Sequence, residues 1–198
     1  MICGILLAAG SASRFGSHKL LCQLPDGTSV AVAAARNLLQ GTANAIAVVR
    51  PGDAMLTDLL CAEGLNVIVA EHAIHGIGAS ISAGIRATTN ADGWLIALAD
   101  MPWIKPQTIA EITRMLEHGA NLAAPCYEGQ RGHPVGFSRR FLPGLLGLDG
   151  DKGANDLLRS NHHLLELFRC DDAGTVQDID RPQDLMTGHI MATATASI

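Results

Sequence analysis

Charge is scarce in this chain, and basic charge scarcer still. Only 17% of residues are charged, 14 Lys and Arg stand against 19 Asp and Glu, and the formal net charge is −5. With 48% hydrophobic residues, that balance excludes an intrinsically disordered chain. No block of Lys and Arg exists. Nucleic acid is therefore not an expected partner, because neutralising its phosphates needs clustered cations. A small anionic ligand needs only a local positive spot.

Paired cysteines are also missing. Cys3, Cys22, Cys61, Cys126 and Cys170 are odd in number, scattered, and nowhere spaced C-x-x-C. Neither a disulfide framework nor a zinc knuckle is implied, and free thiols in a reducing cytoplasm are expected. The apolar opening, about nine residues, is too short to span a bilayer and lacks a basic leader. A cytoplasmic protein with no membrane partner is the expectation. Repeats and low-complexity linkers are absent. The 198 residues suit one domain, 1–188, with a C-terminal tail at 189–198.

What is present is alternation. Continuous apolar runs predict strands over 2–8, 45–50, 66–70, 94–99 and 121–125. Amphipathic stretches predict helices over 29–40, 53–63, 80–88 and 106–118. Strands without period-2 alternation are covered on both faces, and the strand–helix rhythm argues for a mainly parallel sheet with right-handed crossovers. After Pro125 the rhythm changes. The segment 127–137 reads as a loop or irregular hairpin beside the sheet, followed by short helices over 138–146 and 153–159. Strands are expected at 164–168 and 176–179, then a helix start with Asp180 as N-cap and Pro182 in its first turn.

The chemistry concentrates first where strand 2–8 breaks into Ala9-Gly10-Ser11-Ala12-Ser13-Arg14-Phe15-Gly16-Ser17-His18-Lys19. Small side chains let backbone N–H groups approach an anion, and one Arg and one Lys neutralise it. This suits a nucleoside triphosphate. It is not a Walker A loop, for Gly-x4-Gly-Lys-Ser/Thr is absent, nor a dinucleotide fingerprint, for Ala12 stands where the second glycine belongs.

Asp100 follows the apolar run 94–99, and so lies at the carboxyl edge of the sheet, where open α/β folds bind ligands. Taken alone, Asp100 is equally well a turn-former. Asp178-Ile179-Asp180 offers a partner carboxylate, with both acids on one side of an extended segment; Asp180 is also read as a helix cap. Arg131-Gly132-His133-Pro134 sets a His between Gly and Pro. His72 with His75, and His162 with His163, lack a zinc-cage pattern, and no G-x-S-x-G occurs.

The pattern Leu7-Ala8-Ala9-Gly10-x-x-x-Arg14-Phe15-Gly16-x-x-Lys19 closely resembles the signature loop of the MobA-like nucleotidyltransferases, the group containing molybdenum cofactor cytidylyltransferase. Asp100-Met101-Pro102, Gly132-His133-Pro134, Gly76-Ile77-Gly78-Ala79-Ser80 and the Asp180-Arg181-Pro182-Gln183-Asp184-Leu185 stretch extend that resemblance in family order from about Ile2 to Leu185. It implies a three-layer α/β/α Rossmann-like fold of the nucleotide-diphospho-sugar transferase type, with a mainly parallel mixed sheet. It implies transfer of a nucleotidyl group to a phosphorylated acceptor. Leu7, Ala8, Ala9, Gly10, Arg14, Lys19, Gly76 and Ser80 then bind nucleotide, with Arg14, Lys19 and Asp100 catalytic. Asp100 and Asp180 hold Mg²⁺, while Arg131, Gly132, His133, Pro134 and Lys152 border the acceptor.

Ala8-Ala9-Gly10 resembles the cytidylyl rather than the guanylyl branch, so CTP is favoured over GTP, with a molybdopterin-type acceptor and a molybdoenzyme as a possible client. Two residues depart from the family pattern: Ser82 and Asn155 each stand where relatives carry Arg. Asn155 keeps a different phosphorylated acceptor open. Other readings are a non-catalytic factor delivering cofactor to a molybdoenzyme, and a nicotinamide-dependent reductase on this fold.

Overall fold

The computed structural model describes residues 1–10, 18–151 and 153–186. Strand β1 (Ile2–Leu7) is buried along its whole length. Ile2 and Leu6 face one apolar cluster, whereas Cys3, Ile5 and Leu7 face a second. Two cores, one on each side of the sheet, explain why the run is apolar at every position rather than every other one.

β1 pairs in parallel with β2 (Ala45–Val49) on one side and β4 (Gly93–Leu98) on the other, and β3 (Asn66–Val69) continues outside β2. β7 (Val135–Ser138) then runs antiparallel between β4 and β5 (Leu122–Tyr127), while the far edge of β5 takes β8 (Leu165–Arg169) in parallel. The short β6 (Gln130–Arg131) folds back on the end of β5. The eight-stranded sheet is thus mixed and mainly parallel. The expected irregular hairpin is present as β5–β6, but β7 lies inside the sheet rather than beside it; four glycines and prolines over 129–136 hid a strand buried at Val135, Gly136 and Phe137.

Helices α1 (Val30–Gly41), α2 (Ala54–Ala62) and α4 (Pro106–Glu117) cover the Ile2–Leu6 face. Helices α3 (Ile77–Ala87), α5 (Leu142–Leu146) and α6 (Asn155–Ser160) cover the other. The result is three layers. Trp94, fully buried in the second core, satisfies its indole N–H with the hydroxyl of Thr88 at 3.0 Å. Truncating such a residue to Ala costs about 3–5 kcal/mol in transfer and cavity terms.

Two C-terminal expectations fail. No strand forms over 176–179: a 3-10 turn occupies Ala173–Val176, and Ile179 gives its N–H to the Asp100 carbonyl at 2.9 Å instead of to a strand ladder. Asp180 does not cap the next turn, Pro182–Met186, which is 3-10 in form. The carboxylate of Asp184 reaches back to accept from the N–H groups of Asp180 and Arg181 at 3.0 and 2.7 Å, which leaves the Asp180 side chain to other partners. Residues 189–198 lie outside the described residues. Among the described residues no helix is long and apolar enough to cross a membrane.

Candidate active site

Four parallel strands end along one rim. Glu71 follows β3, Arg50 follows β2, Ala8-Ala9-Gly10 follow β1, and Asp100 follows β4. Above this rim opens a cleft of about 740 Å³, lined by Leu7, Ala9, Gly10, Gly76, Ser80 and Asp100 among others. Its roof is the turn into α3. Gly76 has φ of +125°, and a Cβ there would stand 2.5 Å from the Gly150 carbonyl oxygen, so the position admits little but glycine. Gly78 donates its N–H to that same carbonyl at 2.8 Å, fastening the roof to the 149–151 turn.

Lys19 leads a short 3-10 turn, Lys19–Leu21, and is largely buried. Its ammonium donates to Asp100 Oδ2 at 2.7 Å and to the Ile179 carbonyl at 2.9 Å, and lies 3.5 Å from Asp180 Oδ1. Three distant stretches of sequence therefore meet on one cation. Asp178 belongs to the same cluster: burial, reinforced by the neighbouring carboxylates of Asp180 and Asp100, pushes its carboxyl above the usual range.

The segment that brings Asp180 there is anchored by a residue sequence reasoning missed. Asp172 is buried and accepts from the Thr108 hydroxyl at 2.6 Å and the Lys105 N–H at 2.9 Å, at the start of α4, and from the Gly174 N–H at 3.2 Å. A carboxylate at a helix N-terminus satisfies orphan donors and meets the positive end of the helix dipole. The only sequence signal was the Asp-x-Gly turn, which gave no hint of its partner.

Beyond Asp151 the cleft continues into a pocket of about 250 Å³ walled by Ile81, Ile96, Val135 and Phe137 and carrying Arg131, His133 and Asn155. His133 donates its backbone N–H to the Thr175 carbonyl at 2.8 Å. Burial first, and the Arg131 guanidinium second, drive its imidazole from 6.5 down to about 4, so it is neutral near pH 7. Arg131 donates from one terminal nitrogen to Asn155 Oδ1 at 3.3 Å. Its other terminal nitrogen and His133 Nδ1 are buried without a hydrogen-bond partner among the described residues. Such atoms are costly unless something polar visits them.

The sequence-expected residues therefore divide. Leu7, Ala9, Gly10, Gly76, Ser80 and Asp100 line the large cleft, with Lys19 and Asp180 joined to Asp100. Arg131 and His133 line the smaller pocket, and Gly132 packs against Thr175. Ala8 is buried and donates to the Val48 carbonyl, so it serves the sheet rather than the cleft. Pro134 is buried behind His133 in sequence and is not among the pocket's lining. Arg14 and Lys152 lie outside the described residues. Ser82 turns away from the cleft and donates to the Leu146 carbonyl at 2.8 Å, tying α3 to the end of α5.

Arg50 was missed as well. It lines the cleft at the end of β2, its guanidinium 3.5 Å from the buried Asp53 carboxylate, which also pairs with His18 at 2.6 Å.

Could the carboxylates hold a metal? Asp100 and Asp180 converge on a single ammonium, and oxygen donors suit hard divalent cations. Among the described residues no group of three His, Cys, Asp or Glu forms a ready cage. Two carboxylates completed by substrate phosphate oxygens and water fit an ion such as Mg²⁺, which is bound in that manner.

Comparison with known proteins gives the family and the fold. The MobA-like NTP transferase domain model matches residues 4–165. The chain is 27% identical to the purine catabolism protein PucB of Bacillus subtilis over 91% of its length and 92% of that protein's. It is 26% identical to nicotine blue oxidoreductase of Paenarthrobacter nicotinovorans, covering 93% of this chain and 94% of the other. Among solved structures, Rv0371c from Mycobacterium tuberculosis superposes with a TM-score of 0.82 at 28% identity, covering 92% and 94% of the two chains. The same protein in complex with manganese gives 0.74 at 25% identity, covering 100% of this chain and 99% of that one. A nucleotidyl transferase from Methanothermobacter, 24% identical with a TM-score of 0.82 over 98% and 99% of the chains, shares the nucleotide-diphospho-sugar transferase type of fold.

Proposed function

The chain belongs to the MobA-like NTP transferase domain family, and we propose that it transfers CMP from CTP to the phosphate of a molybdopterin-type cofactor, releasing pyrophosphate. The observation that carries this reading is the meeting of Lys19, Asp100 and Asp180 beside Gly10, where a triphosphate-sized cleft runs on into a second pocket. One cavity for the donor and one for the acceptor, with charge-handling groups at the donor end, is what group transfer between two substrates requires.

An oxygen of the acceptor phosphate attacks the α-phosphorus, a new P–O bond forms, and the bond to the bridging oxygen of the β-phosphate breaks. Both electrons of that bond leave with pyrophosphate. The acceptor is already an anion, so no general base is needed, and a neutral His133 is consistent with a hydrogen-bonding rather than a proton-removing role. Lys19 offsets charge building on the phosphoryl oxygens, as does Arg14 in this reading. Gly10 leaves the rim open to phosphate, since among the described residues nothing stands within 4 Å of where a Cβ would be. Asp100 and Asp180 would hold Mg²⁺, which supplies charge neutralisation and alignment of the phosphates when bound. That the Rv0371c relative is found in complex with manganese supports a divalent ion as a ligand of this chain.

At the acceptor end, Arg131 brings a fixed guanidinium suited to phosphate, and Asn155 orients it. Asn155 thus serves the acceptor pocket through Arg131, which supports retention of a phosphorylated acceptor despite the missing family Arg. The relative named an oxidoreductase favours a second reading, a nicotinamide-dependent reductase.

The deciding assay incubates the protein with Mg²⁺, each labelled NTP and molybdenum cofactor, and follows pyrophosphate. Turnover with CTP above GTP is expected. A GTP preference reverses the base assignment only, whereas no turnover with any NTP, together with NADH oxidation by a quinone-like dye, replaces the transferase reading with the reductase.

A further inference from the structure

We infer that the Lys19 ammonium is a placeholder: it holds Asp100 and Asp180 together until a triphosphate draws it away, so that divalent cation and nucleotide enter the site as one. This rests on the reading of those two carboxylates as the metal pair.

An ammonium has three protons to donate. Two of those of Lys19 are taken, by Asp100 Oδ2 at 2.7 Å and the Ile179 carbonyl at 2.9 Å, and the ammonium also lies 3.5 Å from Asp180 Oδ1 as an ion pair. Its charge is spent on the carboxylates rather than on a phosphate. The side chain is only 13% exposed, so its attraction to the carboxylates is weakly screened. Without a cation between them, Asp100 and Asp180 would repel each other, and Asp178 would add a third negative charge nearby.

A divalent ion seated between the two carboxylates would occupy the place the ammonium now holds, and two cations there would repel each other. The ion must therefore displace Lys19 from its partners, and displacement is unfavourable unless the ammonium has somewhere to go. A triphosphate lying against Gly10 offers that destination: several anionic oxygens beside the rim. The same molecule brings the remaining oxygen ligands the ion needs, since the described residues supply too few. Metal and nucleotide affinities are then coupled, and by linkage each strengthens the other by the same factor. The free protein binds the ion poorly, and the carboxylate pair stays assembled in the meantime.

The test measures Mn²⁺ binding from the EPR signal of the unbound ion, for the full chain without nucleotide and with a non-hydrolysable CTP analogue. Wild type should bind Mn²⁺ weakly alone. Lys19→Met should bind it about 10-fold or more tightly in the absence of nucleotide, a coupling of ordinary size. Arg50→Met removes the same charge from the same cleft without touching either carboxylate, and should leave Mn²⁺ affinity near wild type. Equal tightening by both variants, or none by Lys19→Met, overturns the placeholder. Asp100→Asn separates this from the metal reading: with analogue present it should lose the protein's added Mn²⁺ affinity. Retention of wild-type binding by Asp100→Asn overturns the metal pair and the placeholder with it.

Discussion

Lys19 and Asp100, 81 positions apart in the chain, join ammonium to carboxylate at 2.7 Å at the rim of the sheet, just past the end of β4. The pairing keeps the Asp100 carboxylate at the rim before any ligand arrives, and the ammonium, once drawn to the triphosphate, serves the proposed transfer through its charge. Lys19→Ala should lower kcat about 100-fold or more, the scale of losing one donor to a developing oxyanion. Pyrophosphate release under saturating CTP measures it. Near-normal turnover would show that Lys19 does not touch the reacting phosphate.

Asp100→Asn keeps the shape of the side chain and removes its charge. Its backbone carbonyl would still accept from Ile179, so the C-terminal segment should remain docked. Divalent-ion-dependent turnover should vanish while the circular dichroism spectrum and urea midpoint stay close to wild type. Residual activity that still rises with Mg²⁺ would remove Asp100 from the metal pair.

The sequence carried the parallel core well, because a strand covered on both faces writes itself as an unbroken apolar run: β1, β2 and β4 appear within a residue or two of the expected bounds. It failed at β7, where Val135, Gly136 and Phe137 are too few and too glycine-rich to look like a buried strand, although their neighbours β4 and β5 make them one. It failed again at 176–179, where an apolar pattern reflects packing of Ile179 on the core rather than ladder pairing. Gly10 and Asp100, which line the cleft, were picked out because a Gly or an Asp-x-Pro just past a strand end stands out locally. Asp172 and Asp53 were not: besides local contacts, each buried carboxylate has partners 64 to 67 and 35 residues away, respectively, and no local pattern encodes such contacts.

Asp172 gives a stability prediction. Asp172→Ala strands the Thr108 hydroxyl and the Lys105 and Gly174 N–H groups, and should cost about 2–4 kcal/mol from lost charge-assisted bonds and unsatisfied donors. Urea unfolding checks the magnitude. Because the same segment delivers Asp180 and Thr175, kcat should also fall; a variant as stable as wild type would mean the anchor carries no net energy.

Arg131 and Asn155 divide the acceptor pocket between charge and aim. Arg131→Ala should raise the acceptor KM about 10- to 100-fold, as loss of a hydrogen bond to a charged group does, with the CTP KM nearly unchanged. Asn155→Ala should move the same parameter by less, since the guanidinium remains but loses its tether. Equal effects on both substrates would place these residues at neither pocket in particular.

His133 predicts a pH dependence whose sign follows from its depressed pKa. The folded imidazole titrates at about 4 against an ordinary 6.5. Below 6.5 the unfolded chain gains a proton that the folded chain refuses, so folding loses stability as pH falls. The contribution is intact above about pH 7 and declines by about 3 kcal/mol on reaching pH 4, from the size of the shift. His133→Asn removes this titration. The difference in unfolding free energy between wild type and variant, measured in urea from pH 7.5 to 4, should therefore shrink or reverse as the solution is acidified, while contributions from Asp178 and other shared groups cancel in the subtraction. A difference independent of pH across that range would mean the imidazole is charged or solvated in the native protein, contrary to its burial beside Arg131.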